Sequence, residues 1–207
     1  MESSSKTTAI VVSLIAGLLV GGGTGWAIAD MNKTNSKTSM SSSSMQNDAD
    51  GVTVGGAKMV KDKDIVDNAV NAKNVTTVVS LVKLASLVDT LKSEGPFTVF
   101  APNNDAFAKL PSETVASLQK PENVETLKKI LTYHVVAGTY TSADLKVMAQ
   151  KGESLTTVQG EMLTPVLKDG MVHLMDAKNN DVMIETSDVI SSNGVTHVIK
   201  SVLMPAN

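Results

Sequence analysis

The sequence predicts an α+β domain. Three observations carry this reading: apolar residues recur at helical spacing from Ile65 to His134, β-branched and alternating runs dominate from Tyr133 to Leu203, and one early strand, Phe97 to Ala101, stands among the helices. Helices gathered early and strands late mark a segregated α+β domain rather than an alternating α/β one. The 207 residues leave room for one such domain of roughly 140 to 150 residues and for extra segments.

Composition removes several function classes. The net charge of -3 is small and every basic residue is lysine. Without arginine forks or a basic stripe there is no footprint for nucleic acid. Cysteine is absent, which excludes disulfides, thiolate metal sites, cysteine nucleophiles and lipidation at cysteine.

Residues 1–29 read as a signal peptide or signal anchor. Ala9 to Ala29 carries no charge and lies between Lys6 and Asp30. Its apolar run, looser glycine region and Ala27-Ile28-Ala29 have the layout of a cleaved signal peptide, the preferred reading. The same stretch is long enough to span a bilayer, and a retained helix would bring Gly17, Gly21 and Gly25 onto one pairing face. Either form predicts export, with membrane contact only through this segment. Residues 30–57, rich in Ser, Thr, Asn, Met and Gly, read as a flexible spacer.

The domain is assigned to residues 58–207, with its first helix opening near Asp64 through Ile65, Val66, Ala69 and Val70. Asn74 is the expected cap of the next. From Val75 to Leu91 the apolar face is wide enough for a core helix or a broken pair, with Ser86 a possible second cap, and Gly95-Pro96 ends it. Phe97, Thr98, Val99, Phe100 and Ala101 then form a strand, which Pro102 stops because it has no N–H for a ladder. Asn103 caps a short helix that turns Phe107 and Leu110 inward. Because only 3% of the chain is aromatic, Phe97, Phe100 and Phe107 buried together are the expected packing centre.

Pro111 to Leu118 and a segment starting at Pro121 read as further helices, the latter with a Glu125–Lys129 pair. Strands follow at Tyr133–Tyr140, Leu155–Val158, Met162–Leu167, Met171–Leu174, Val182–Thr186 and Val195–Leu203, with Lys168-Asp169-Gly170 as a tight turn.

Catalytic and metal-binding patterns are weak. His134, His173 and His197 have no ligand spacing and read as structural, and Asp62, Asp64 and Asp67 lack the glycine and distal glutamate of a calcium loop. Gly152-Glu153-Ser154 begins a nucleophile elbow whose second glycine is missing. The eleven methionines form no periodic stripe and read as core filler. No cofactor is implied.

Three segments in order closely resemble the signatures of the fasciclin domain. They are Phe-Thr-Val-Phe-Ala-Pro-Asn-Asn-Asp-Ala-Phe from Phe97 to Phe107, Leu-Thr-Tyr-His-Val-Val from Leu131, and Ser192 to Pro205, which holds Asn193, Gly194 and His197. The resemblance implies a fold of helices packed around a wedge of β-strands. It also implies a non-enzymatic extracellular or cell-surface module that contacts an extracellular protein, a polysaccharide matrix or a surface receptor. Contact positions carried over from the family are Asp188, Val189 and Ile190, and Tyr133 and His134 in the middle segment. Thr98 is expected to join Tyr133 and His134 in an internal polar set. Lys200 stands where the family usually has aspartate, so an ion pair there would be lost or inverted. The alternatives are a small-ligand or lipid carrier, which needs an apolar cavity, and a hydrolase using Ser154 and the histidines.

Overall fold

The computed structural model describes residues 51–206. The segment 1–29, with Gly17, Gly21 and Gly25, and the spacer up to residue 50 lie outside the described residues. The expected spacer end at residue 57 moves earlier. Strands β1 (Thr53–Val54) and β2 (Ala57–Lys58) form a small hairpin, and Val54 and Met59 are buried in the helical core. Apolar side chains with core to cover do not stay in a linker.

Helix α1 (Ile65–Ala69) is capped by Asp64, whose carboxylate accepts from the Asp67 N–H at 2.7 Å. The broken pair is α2 (Thr76–Leu84) and α3 (Val88–Lys92). Ser86 does not cap α3; it takes the left-handed backbone that joins the two helices. Nor does Asn74 cap α2. That work falls to Asn104, whose side-chain oxygen accepts from the Thr77 N–H at 3.1 Å.

Strand β3 (Phe97–Pro102) leads into α4 (Asn104–Ala108), where Asn103 accepts from the Ala106 N–H at 2.8 Å as expected. Helix α5 (Ser112–Leu118) and a 3-10 turn at Pro121–Asn123 precede α6 (Val124–Tyr133). On α6, Glu125 pairs with Lys128 at 3.1 Å rather than with Lys129. Strand β4 covers only Val135–Ala137, because Tyr133 belongs to the helix. Helix α7 (Ser142–Lys151) was not expected from the apolar pattern. Its signal is polar: Thr141 and Asp144 form a capping box, and Gly152 ends it in the left-handed conformation.

Strands β5 (Leu155–Thr156), β6 (Met162–Lys168), β7 (Met171–Met175), β8 (Asp181–Ser191) and β9 (Gly194–Ile199) complete the domain. Asp169 and Gly170 both have positive φ in the expected tight turn. The large sheet runs β4-β3-β9-β8-β7-β6-β5, antiparallel except for the β3–β9 pair. Its two ends also meet, since Val158 N–H donates to the Val135 carbonyl at 2.7 Å. This is an α+β fold with strands wedged between helices.

The packing centre is divided. Phe100 lies in a core lined by Leu145, Leu163, Leu174 and Ile199, whereas Phe107 joins the helical core with Leu81, Ala101, Leu127 and Val198. Phe97 is only partly buried, against Val66, Leu91 and Val135. The cause is the pleat: successive side chains of β3 face opposite sides, so aromatics on one strand and the next helix need not meet.

Candidate functional site

A cleft of about 680 Å³ opens between the loop Lys92–Pro96, Thr139 and the segment Ile190–Val195. Three devices fix its walls. Asn193 forms the first. Its side-chain oxygen accepts from the Ile65 N–H at 3.0 Å, while its amide donates to the carbonyls of Leu91 at 2.7 Å and Ser93 at 3.1 Å. The start of α1 and the end of α3 are thereby tied to the β8–β9 turn. Asn193→Ala is expected to lower stability by about 1 to 3 kcal/mol, read by urea unfolding, because these backbone groups lose their partner.

The second device is close backbone approach. A Cβ on Gly194 would lie 2.0 Å from the Phe97 carbonyl oxygen, and one on Gly95 would lie 2.0 Å from the Asn193 oxygen. Only glycine lets the paired starts of β3 and β9 come this near.

The third is a clasp on residues 138–142. Thr98 Oγ1 donates to the Gly138 carbonyl at 2.7 Å and accepts from the Tyr140 N–H at 2.9 Å. His197 Nε2–H donates to the Tyr140 carbonyl at 2.8 Å, and its Nδ1 accepts from the Asp188 N–H at 3.3 Å. Asp188 in turn accepts from the Ser142 N–H at 2.7 Å and from the Ser142 hydroxyl. Bulges in β8 and a positive φ at Asp188 aim its carboxylate at this helix start. Thr139, in the middle of the strap, is left exposed on the cleft wall.

The expected contact residues therefore separate. Tyr133 is 0% exposed, His134 3% and Val189 3%, so no partner reaches them in the folded domain. Their roles are internal. The Tyr133 hydroxyl donates to the Met162 carbonyl at 2.9 Å and accepts from the Ala177 N–H at 2.8 Å. Burial, reinforced by Asp176 and Glu161, pushes its pKa up to about 12, against the opposing Ala177 bond. His134 Nδ1–H donates to the Ile130 carbonyl at 2.7 Å and Nε2 accepts from the Leu203 N–H at 3.0 Å. Burial lowers the His134 pKa to about 4 and also lowers that of His197, which stacks on Phe100. Both rings are neutral clamps. Thr98 is buried too, but it serves the 138–142 clasp rather than Tyr133 or His134. Asp188 is partly buried and spent on Ser142. Ile190, 40% exposed, is the one carried-over contact residue that opens onto the cleft.

Other expected features resolve into structure. Lys92 bonds Asp67 at 2.5 Å and pairs with Asp64 at 3.4 Å, and the first of these holds the Asp67 carboxyl below its usual range. Among the described residues no three His, Asp or Glu side chains gather as a metal site. Ser154 hydrogen-bonds Thr164 at 2.8 Å. Lys200 shows the inverted pairing, 3.8 Å from Glu185, which also accepts from the Asn103 amide at 2.8 Å. Sequence reasoning missed Asp176. This buried carboxylate accepts from Lys178, Asn180 and Met204 N–H groups and holds the β7–β8 loop to the C-terminal segment.

The first and last signature segments, which frame the cleft, fall within a match to a known family. The family model described as Fasciclin domain matches residues 73–205. The chain belongs to the fasciclin domain family. The Synechocystis protein sll1483 is 50% identical over 141 residues, covering 68% of this chain and 73% of that protein. A second Synechocystis protein, the uncharacterized sll1735, is 41% identical over 141 residues, covering 68% of this chain and 97% of its own. The solved fasciclin domain pair from the insect cell adhesion molecule Fasciclin I superposes with a TM-score of 0.64 at 20% identity, covering 70% of this chain and 52% of that one. That likeness bears on the fold. In this fasciclin domain the signature residues Thr98 and His197 brace the cleft from behind, while Asn193 and Gly194 both brace it and line it.

Proposed function

We propose that this protein is a non-enzymatic adhesion or matrix-interaction module, presented at or released from the cell surface through residues 1–29. One observation carries the reading: the 680 Å³ cleft, rigidly framed by signature residues, opens to solvent with Ile190 on its wall. Its size lies within the roughly 300 to 1,000 Å³ range of binding pockets. Its lining of Ser93, Thr139, Ser191 and Ser192 beside Ile190 suits a polysaccharide segment or an extended peptide. Membership of the fasciclin family supports the class.

Catalysis has little to work with. The rings of His134 and His197 use both nitrogens internally, and the Ser154 hydroxyl faces Thr164. The carrier alternative needs an apolar cavity. The groove lined by Val82, Leu91, Phe97, Val99 and Leu131 holds about 60 Å³, too little for an amphiphile.

The test is Ile190→Glu in the full chain, assayed for attachment to matrix polymers and to cells lacking the protein. Attachment is expected to drop at least tenfold while stability stays within about 0.5 kcal/mol, as for an exposed site. Unchanged attachment would remove the cleft as the contact surface.

A further inference from the structure

The outer face of the β6–β8 sheet gathers groups that adhesion does not use. Side chains alternate along a strand, so β7 turns Val172 and Leu174 into the strand core and Met171, His173 and Met175 to the other face. Register adds a fourth residue. His173 pairs directly with Met183 on β8, and Met175 pairs with Asp181. Such cross-strand partners have Cβ atoms about 4.5 to 5.5 Å apart. Met171, Met175 and Met183, which look scattered along the sequence, thus share one sheet face with His173.

That histidine is held as metal-binding histidines are held. Its Nδ1–H donates to Asp181 Oδ1 at 2.5 Å, which leaves Nε2 as the lone-pair nitrogen. Nε2 is buried and has no hydrogen-bond partner among the described residues, although the side chain as a whole is 13% exposed. The rings of His134 and His197, by contrast, satisfy both nitrogens. Lys168 Nζ bonds the other oxygen of Asp181 at 2.5 Å, fixing the carboxylate from β6. An oriented imidazole nitrogen without a partner, flanked by thioethers, is a set of soft donors.

We propose that His173 Nε2 and the Met183 thioether, with Met171 and Met175 as further donors, form a binding site for copper(I). Soft thioether sulfur and imidazole select copper(I); calcium, magnesium and manganese prefer oxygen ligands. Asp181 is the positioning residue. Histidine spacing along the chain carries no sign of the site because three of its four donors lie on β7 and the fourth arrives by strand pairing.

The test titrates copper(I) into the full chain without oxygen, against a coloured copper(I) chelator, while the methionine methyl resonances are followed by NMR. Uptake at micromolar metal is expected, with shifts at Met183 and at Met171 or Met175. Met183→Leu and His173→Gln should each weaken binding at least tenfold, and Met162→Leu should leave it unchanged. Both test variants are read only after their methyl spectra show the native fold. Absence of uptake, shifts confined to other methionines, or wild-type affinity in both variants would overturn the proposal.

Discussion

Phe100→Ala is expected to destabilise the domain by about 3 to 5 kcal/mol, the range for truncating a buried aromatic. Phe100 is 0% exposed and lies against Leu163, Leu174 and Ile199 with its ring stacked on His197, centroids 5.5 Å apart. Removing it opens a cavity and frees the imidazole that clasps residues 138–142. Phe97→Ala, one turn of the pleat away, should cost less, about 1 to 2 kcal/mol, since that ring is already partly in water. Urea unfolding of both variants decides the order. A larger loss for Phe97 would move the packing centre back toward the helices.

Acid should weaken the fold before most of its carboxylates protonate. Burial lowers the His134 pKa to about 4 in the fold, from the ordinary imidazole value of 6.5. Between these values the unfolded chain binds the extra proton and the folded one does not, so stability falls as pH falls. The contribution is fully present above about pH 6.5, declines through the window, and is gone below about pH 4. The loss amounts to about 3 kcal/mol at 1.36 kcal/mol per pH unit. His197 works in the same direction. The geometry explains the sign: a second proton on His134 would point at the Leu203 N–H, and one on His197 at the Asp188 N–H. Stability measured across pH 7 to 4 should slope steeply, and His134→Gln should flatten it. An unchanged slope in that variant would remove His134 as its source.

The sequence disclosed most of this fold where one side of an element is dry and the other wet. The helices from Ile65 to Tyr133 and the strands from Met162 onward were legible for that reason. Helix α7 was not, because Leu145 is its one fully covered side chain, and its ends are marked by Thr141, Asp144 and Gly152 instead. The candidate site was legible only in part. Its framework residues stand in the signature segments, but burial of Tyr133, His134 and Val189 depends on strands and loops that pack over them from far along the chain. The aim of Asp188 depends on a bulge, and the role of Asn193 on three backbone groups about 100 to 130 residues away. No local pattern encodes such partners.

The β3–β9 pairing also sets a timetable. Phe97 and Gly194 are partners, and Gly194 is added 97 residues after Phe97. At about 5 to 20 residues per second a ribosome needs roughly 5 to 20 s to supply the second strand after the first. Throughout that interval β3 lacks its parallel neighbour and the Phe100 side chain lacks His197 and Ile199. Until β9 has been made the nascent domain is open at its central strand pair, exposed to whatever chaperones meet it, and the fold can close only once residues 194–199 have appeared.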